Sequence, residues 1–191
     1  MSNIKENSKR CINNLKPLPN TPISPWVAKW AHQVKDNALV LDVAAGGGRH
    51  GRFFLQHGST VTFVDKKTAN LEDLTAHDKA IIIAADLEDG TPWPFENNAF
   101  DAIVVVNYLH RALFPNLIAS LKPQGVLIYE TFAVGNEKYG RPNAADFLLK
   151  PEELLEHTRG LMKTVAYEHG LLDNHGQLSV KQSLCAIKNP T

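Results

Sequence analysis

From Ala38 onward, short apolar runs alternate with polar and turn-forming stretches. Leu39-Val40-Leu41 ends at Asp42, Thr60-Val61-Thr62-Phe63-Val64 at Asp65, and Ala80-Ile81-Ile82-Ile83-Ala84-Ala85 at Asp86. Ala102-Ile103-Val104-Val105-Val106 ends at Asn107, and Val126-Leu127-Ile128-Tyr129 at Glu130. These runs are near-continuous and β-branched rather than strictly alternating, as suits strands covered on both faces. Helical spacing fills the gaps: Phe53, Phe54 and His57 follow the first run, and Leu113, Leu117, Ile118 and Leu121 the fourth. The succession predicts a doubly wound α/β fold with helices on both faces of a parallel sheet.

The tail departs from this rhythm. Residues 162–169 and 178–186 are strand-like, and 170–176, with Asp173, Asn174 and His175, reads as the turn of a hairpin. The expected sheet is therefore Rossmann-like and seven-stranded, mostly parallel, with an antiparallel C-terminal hairpin. Near the start, Ser24 as N-cap and Pro25 in the first turn predict a helix with Trp26, Val27 and Trp30 on one face. Residues 1–20 are polar and end in Pro17-Leu18-Pro19, which predicts a flexible N-terminal arm and leaves 21–191 as a single domain. Residues 132–150 form a long connection, and such connections commonly carry function or motion.

Composition narrows the function. Among 191 residues, 20 Lys and Arg balance 20 Asp and Glu, and the longest basic pieces are dipeptides. That disfavours nucleic acid, which demands a basic excess or stripe. Cys11 and Cys185 stand far apart, so neither a disulfide framework nor a thiolate metal site is expected. Six histidines, His32, His57, His77, His157, His169 and His175, lack metal-ligand spacing. With no long apolar segment, the expectation is a cytoplasmic protein without a membrane span.

The segment richest in chemistry is Val40-Leu41-Asp42-Val43-Ala44-Ala45-Gly46-Gly47-Gly48-Arg49. Gly46 and Gly48 let the backbone turn tightly and lie against a ligand, and the following helix aims its N–H groups at the same spot. Asp65 lies 19 residues after Gly46, where an acid can accept from ribose hydroxyls. Gly46-x-Gly48-x-x-Gly51 also satisfies a dinucleotide fingerprint, so a nicotinamide-dependent oxidoreductase stays open. Ala44 replaces the glycine that fingerprint needs after the strand. Asp42 can face an ammonium group, and Asp86 is placed to reach an adenine amine.

Here the chain resembles the class I S-adenosylmethionine-dependent methyltransferases. Residues 40–48 match their first motif apart from Ala44. Trp93-Pro94-Phe95…Phe100-Asp101 resembles the stretch before their fourth strand, and Leu121-Lys122-Pro123-Gln124-Gly125 their glycine turn, with Gln124 for one glycine. The resemblance runs over residues 38–188, and the Gly-Gly-Gly-Arg-His version is similar to small bacterial tellurite-resistance-type members. It implies methyl transfer from S-adenosylmethionine, with S-adenosylhomocysteine as product. It implies that Asp42, Ala44, Gly46 and Gly48 hold the methionine end, with Arg49 or His50 near its carboxylate. Asp65 would bind ribose, Lys66 stack beside adenine, and Asp86 and the Leu87 N–H meet the adenine edge.

The acceptor side is read from position. Asn107-Tyr108-Leu109-His110-Arg111 follows the fourth strand, which faces the transferable methyl in this fold, so Asn107 joins the cofactor set. It is not Asn-Pro-Pro-Tyr, the usual signal for nucleobase or glutamine amines. His110, with Tyr108 beside it, is the expected general base for an alcohol or ammonium acceptor. Arg111 is a candidate for an anionic acceptor and Phe132 for the pocket wall, with Glu130 and Thr131. Tyr139, Arg141 and Phe147 are expected to form a lid over the acceptor. The expected acceptor is a small molecule. A protein that binds the cofactor without transferring its methyl is the remaining alternative.

Overall fold

A computed structural model describes residues 22–174 and 176–190. The arm expected over 1–20 lies outside the described residues. Helix α1 (Pro25–Trp30) starts as its sequence dictates: the Ser24 hydroxyl accepts from the Trp26 N–H at 3.1 Å, Pro25 fills the first turn, and Trp26 and Val27 are buried. Then follow β1 (Leu39–Val43), α2 (Arg49–Gln56), β2 (Thr60–Asp65), β3 (Ala80–Ala84), β4 (Phe100–Val106) and α3 (Phe114–Ser120). The chain continues through β5 (Leu121–Phe132), α4 (Glu153–Thr158), β6 (Met162–Asn174) and β7 (Gln177–Lys188). Among the described residues, no helix is long and apolar enough to cross a membrane.

The strands form one seven-stranded sheet in the order β3-β2-β1-β4-β5-β7-β6, parallel from β3 to β5 and antiparallel from β5 to β6. Apolar residues point to both faces. Leu41, Val43, Ile103 and Val105 join a core with Leu117 and Leu127, while Val40, Ala102, Val104 and Ile128 join another with Phe54 and Leu55. Two buried faces explain why the runs are continuous rather than alternating. Strand order reverses between β1 and β4, and open α/β sheets bind ligands at the carboxyl ends flanking that point.

Several boundaries differ from expectation. Between β2 and β3 runs only the 3-10 segment Ala69–Leu74, held to α2 by a bidentate Arg52–Asp73 pair at 2.7 Å, with Arg52 buried and Asp73 partly so. Leu113 lies in the preceding 3-10 turn, Leu121 already starts β5, and His57 is an exposed C-cap. The hairpin is longer than expected. β6 and β7 stay paired out to Asn174↔Gln177, so 170–173 are strand rather than turn. Gly170, the expected turn opener, faces Lys181 in the ladder instead. At Gln124 the backbone takes φ +65°, the left-handed conformation that explains a glycine in the motif it resembles.

Candidate active site

Two cavities open at the carboxyl ends of the parallel strands. The smaller, about 200 Å³, is lined by Ala44, Asp65, Lys66, Asp86, Leu87 and Tyr108 among others. The Asp65 carboxylate is fixed by two backbone donors, Gly46 N–H to Oδ2 and Lys67 N–H to Oδ1, each at 2.8 Å. Each oxygen keeps a lone pair for a further donor. Asp86 Oδ1 accepts from the Glu88 N–H at 3.0 Å, and its Oδ2 lies 4.0 Å from Lys66 Nζ. Burial, with Glu88 beside it, pushes the Tyr108 phenol above its ordinary value, so it stays protonated and able to donate.

The loop between β1 and α2 runs along this cavity. Ala44 turns it at φ +52°, a left-handed conformation that costs a residue with a Cβ roughly 1 kcal/mol. Gly46, at φ +57°, has open space where a Cβ would point. Gly48 differs: a Cβ there would lie 2.6 Å from Leu71 Cδ2, so its smallness serves packing against β2 and the 3-10 segment. Asp42 is only 2% exposed and accepts from the Gly51 N–H at 2.8 Å. Burial pushes its carboxyl up to about 7. It lines neither cavity.

The larger cavity, about 700 Å³, is walled by residues 22–26 on one side and the β6–β7 hairpin on the other. Arg49, Asn107, Glu130, Phe132 and Lys181 line it between them. Asn107 sits at φ +58° at the end of β4, so consecutive residues Asn107 and Tyr108 face different cavities. Arg49 donates to the Pro22 carbonyl at 3.1 Å, and burial lowers its guanidinium from the ordinary value against the pull of Glu130 and Asp42.

This arrangement has known counterparts. The sequence model of the Methyltransferase domain family matches residues 40–125, from β1 to the turn inside β5. Over those residues the chain carries a methyltransferase domain. No curated protein sequence matches it. Its fold is similar to TehB from Haemophilus influenzae (TM-score 0.72, 18% identity, 89% of this chain and 64% of that one). It is also similar to the Burkholderia thailandensis 1,6-didemethyltoxoflavin-N1-methyltransferase, solved with its acceptor and S-adenosylhomocysteine (TM-score 0.66, 20% identity, 86% and 77%). The [4+2]-cyclase SpnF shares the fold as well (TM-score 0.64, 13% identity, 98% and 93%). The family match favours methyl transfer over the nicotinamide chemistry that the glycine spacing alone permits.

The chain gathers half of the expected cofactor residues in the smaller cavity, and Phe132, Tyr139 and Arg141 of the expected acceptor residues in the larger. Asp65, Lys66, Asp86, Leu87 and Ala44 share the smaller cavity, and Arg49 and Asn107 the larger. Tyr108, expected beside the base, falls in the smaller cavity with Asp65 and Asp86. His110 is half-buried, caps the 3-10 turn Arg111–Leu113 and lines neither cavity. Arg111 is spent on structure: it grips Glu153 at 2.6 and 3.0 Å and donates to the carbonyls of Asp146 and Leu148. His50 is buried, its imidazole held down to about 3, and its Nε2 accepts from the Ser24 N–H at 3.2 Å. Ring and the start of α1 thus brace each other, and His50 lines neither cavity.

Tyr139 and Arg141 do line the larger cavity, whereas Phe147 does not. The connection that carries them is tied down. Asn136 is buried, donating to the Pro142 carbonyl at 2.9 Å and accepting from the Val180 N–H at 3.0 Å. Lys181 is the site residue that sequence reading overlooked. It sits in a strand-like run without any motif, and only the register places it opposite Phe132.

Proposed function

We propose that this methyltransferase moves the methyl group of S-adenosylmethionine to a small molecule seated in the larger cavity. The observation that carries the reading is the division at Asn107 and Tyr108. It sets a nucleoside-sized cleft beside a separate chamber about three times larger, closed on two sides by the chain itself. The toxoflavin enzyme, solved with S-adenosylhomocysteine and a small acceptor bound, supports it.

The residues fit the donor. Asp65, with lone pairs free on both oxygens, would take the ribose hydroxyls. Asp86 and the Leu87 N–H would meet the adenine edge, with Lys66 alongside. The open space over Gly46 would accept the amino-acid end, with Arg49 toward its carboxylate. When bound, the donor supplies an electrophilic methyl on a sulfonium. The protein's own task is then to position a nucleophile in line and to exclude water. The wall from residues 22–26, pinned by Arg49 and His50, and the hairpin opposite serve that exclusion.

Incubation with methyl-labelled S-adenosylmethionine and a metabolite extract tests the reading. The expected product is a labelled small molecule found by mass. Label appearing only on protein or nucleic acid would overturn the choice of acceptor class.

A further inference from the structure

Lys181 faces Phe132 across the β5–β7 ladder, and its Nζ lies 4.8 Å from the centre of that ring. The side chain is 12% exposed. An ammonium withdrawn from water this far is costly unless oxygens meet it. Asn107 Oδ1 does so at 2.7 Å and Glu130 Oε1 at 3.1 Å. An ammonium has three donors and no acceptor, so one donor remains beyond these two oxygens.

Glu130 is occupied more fully. Besides Lys181, its Oε1 accepts from the Ser24 hydroxyl at 3.1 Å and its Oε2 from the Ser183 hydroxyl at 3.3 Å, with the residue 4% exposed. A cationic guest would find that carboxylate already answered. Elsewhere in the cavity Lys29 pairs with Glu168 at 2.9 Å, and Asp173 Oδ1 accepts from the Gly176 N–H. Arg49 and Arg141 have no carboxylate within ion-pair distance among the described residues. Four cations, Lys29, Arg49, Arg141 and Lys181, thus stand against three carboxylates, Glu130, Glu168 and Asp173, in the cavity wall.

We propose that Lys181 selects the methyl acceptor by charge: the acceptor is a small acid whose anionic oxygen binds Lys181 beside Asn107. This rests on the methyltransferase reading of the two cavities. Arg141 is exposed, and water screens its charge. Lys181 is shielded, so the charge-assisted bond from its remaining donor to an anionic oxygen is little screened and exceeds that to a neutral group of equal shape. Phe132, which lines the same cavity, adds apolar surface for the rest of the guest.

Benzoate and benzamide match in shape and differ in charge, which makes them suitable probes. Each is titrated by calorimetry into the protein saturated with S-adenosylhomocysteine. Benzoate should bind at least about tenfold more tightly than benzamide. Lys181→Arg keeps the charge and should retain the preference. Lys181→Gln alone strands Glu130, so the decisive variant combines it with Glu130→Gln, removing both charges together. Once a melting curve shows that variant folded, its preference should fall below about twofold. Equal binding of the two probes to the wild type, or binding of neither, overturns the proposal. A preference that survives in the folded double variant overturns it too, moving the anion to Arg141. Failure of S-adenosylhomocysteine to bind at the outset would instead sink the methyltransferase reading.

Discussion

Asp65 accepts the backbone N–H of Gly46 at 2.8 Å across a separation of 19 residues, joining the end of β2 to the loop that leaves β1. The same carboxylate thus shapes the loop and faces the smaller cavity. Asp65→Ala should weaken S-adenosylhomocysteine binding by about 1–3 kcal/mol, since both the ribose bonds and the loop's anchor are lost. Calorimetry measures this directly. An affinity unchanged within error would remove Asp65 from the site.

Asp86 is anchored on one oxygen by Glu88, leaving the other toward Lys66 and the cavity. If it reads the adenine amine, Asp86→Ala should narrow the preference for the adenosine cofactor over its inosine analogue. Competition binding between the two measures the ratio, and a ratio that does not move would leave Asp86 a strand-end acid only.

Arg111 was expected at the acceptor and is found as a clamp, tying β4's exit to α4 and to the segment before it. Arg111→Ala leaves Glu153, whose side chain is 8% exposed, without its cation. It should therefore cost about 2–3 kcal/mol of stability, less than for a fully buried pair because the guanidinium is partly solvated. Denaturant unfolding reads that loss, while cofactor affinity at low denaturant should stay as in the wild type. A large affinity loss with stability intact would return Arg111 to the binding site.

Asp42 gives a pH dependence. Burial raises its carboxyl from 3.8 to about 7, against the Gly51 hydrogen bond and the Arg49 charge and aided by Asp65. Between those values the folded chain holds a proton that the unfolded chain has released. Its contribution to stability is thus greatest at low pH and falls as pH rises through that window. Asp42→Asn should flatten this part of the melting-temperature profile relative to wild type. Parallel profiles for the two proteins would show that Asp42 is ionised throughout.

The sheet was legible because its strands are buried on both faces, and continuous apolar runs such as 102–106 admit few other folds. The smaller cavity was legible for a related reason. Asp65 ends β2 and Asp86 lies just past β3, so finding the strand finds a residue of its lining. The larger cavity depends on contacts that no local pattern encodes. Arg111 meets Glu153 across 42 residues, and Lys181 meets Asn107 across 74. His110 and Arg111 are close to Asn107 in sequence, yet Asn107's left-handed backbone turns the chain before them.

The ladder joining β7 to β5 stops at Phe132↔Lys181, whereas β6 and β7 go on pairing to Asn174↔Gln177. Beyond Val180, which still bonds Ala133 and Asn136, the two strands of the hairpin pair with each other, and Leu172, Leu178 and Ser179 of this stretch wall the larger cavity. Folding of the parallel sheet asks nothing of those side chains. On the function proposed above, the sheet is a fixed donor holder and the hairpin tip an interchangeable jaw, so a different tip grafted onto the same sheet should redirect the methyl group.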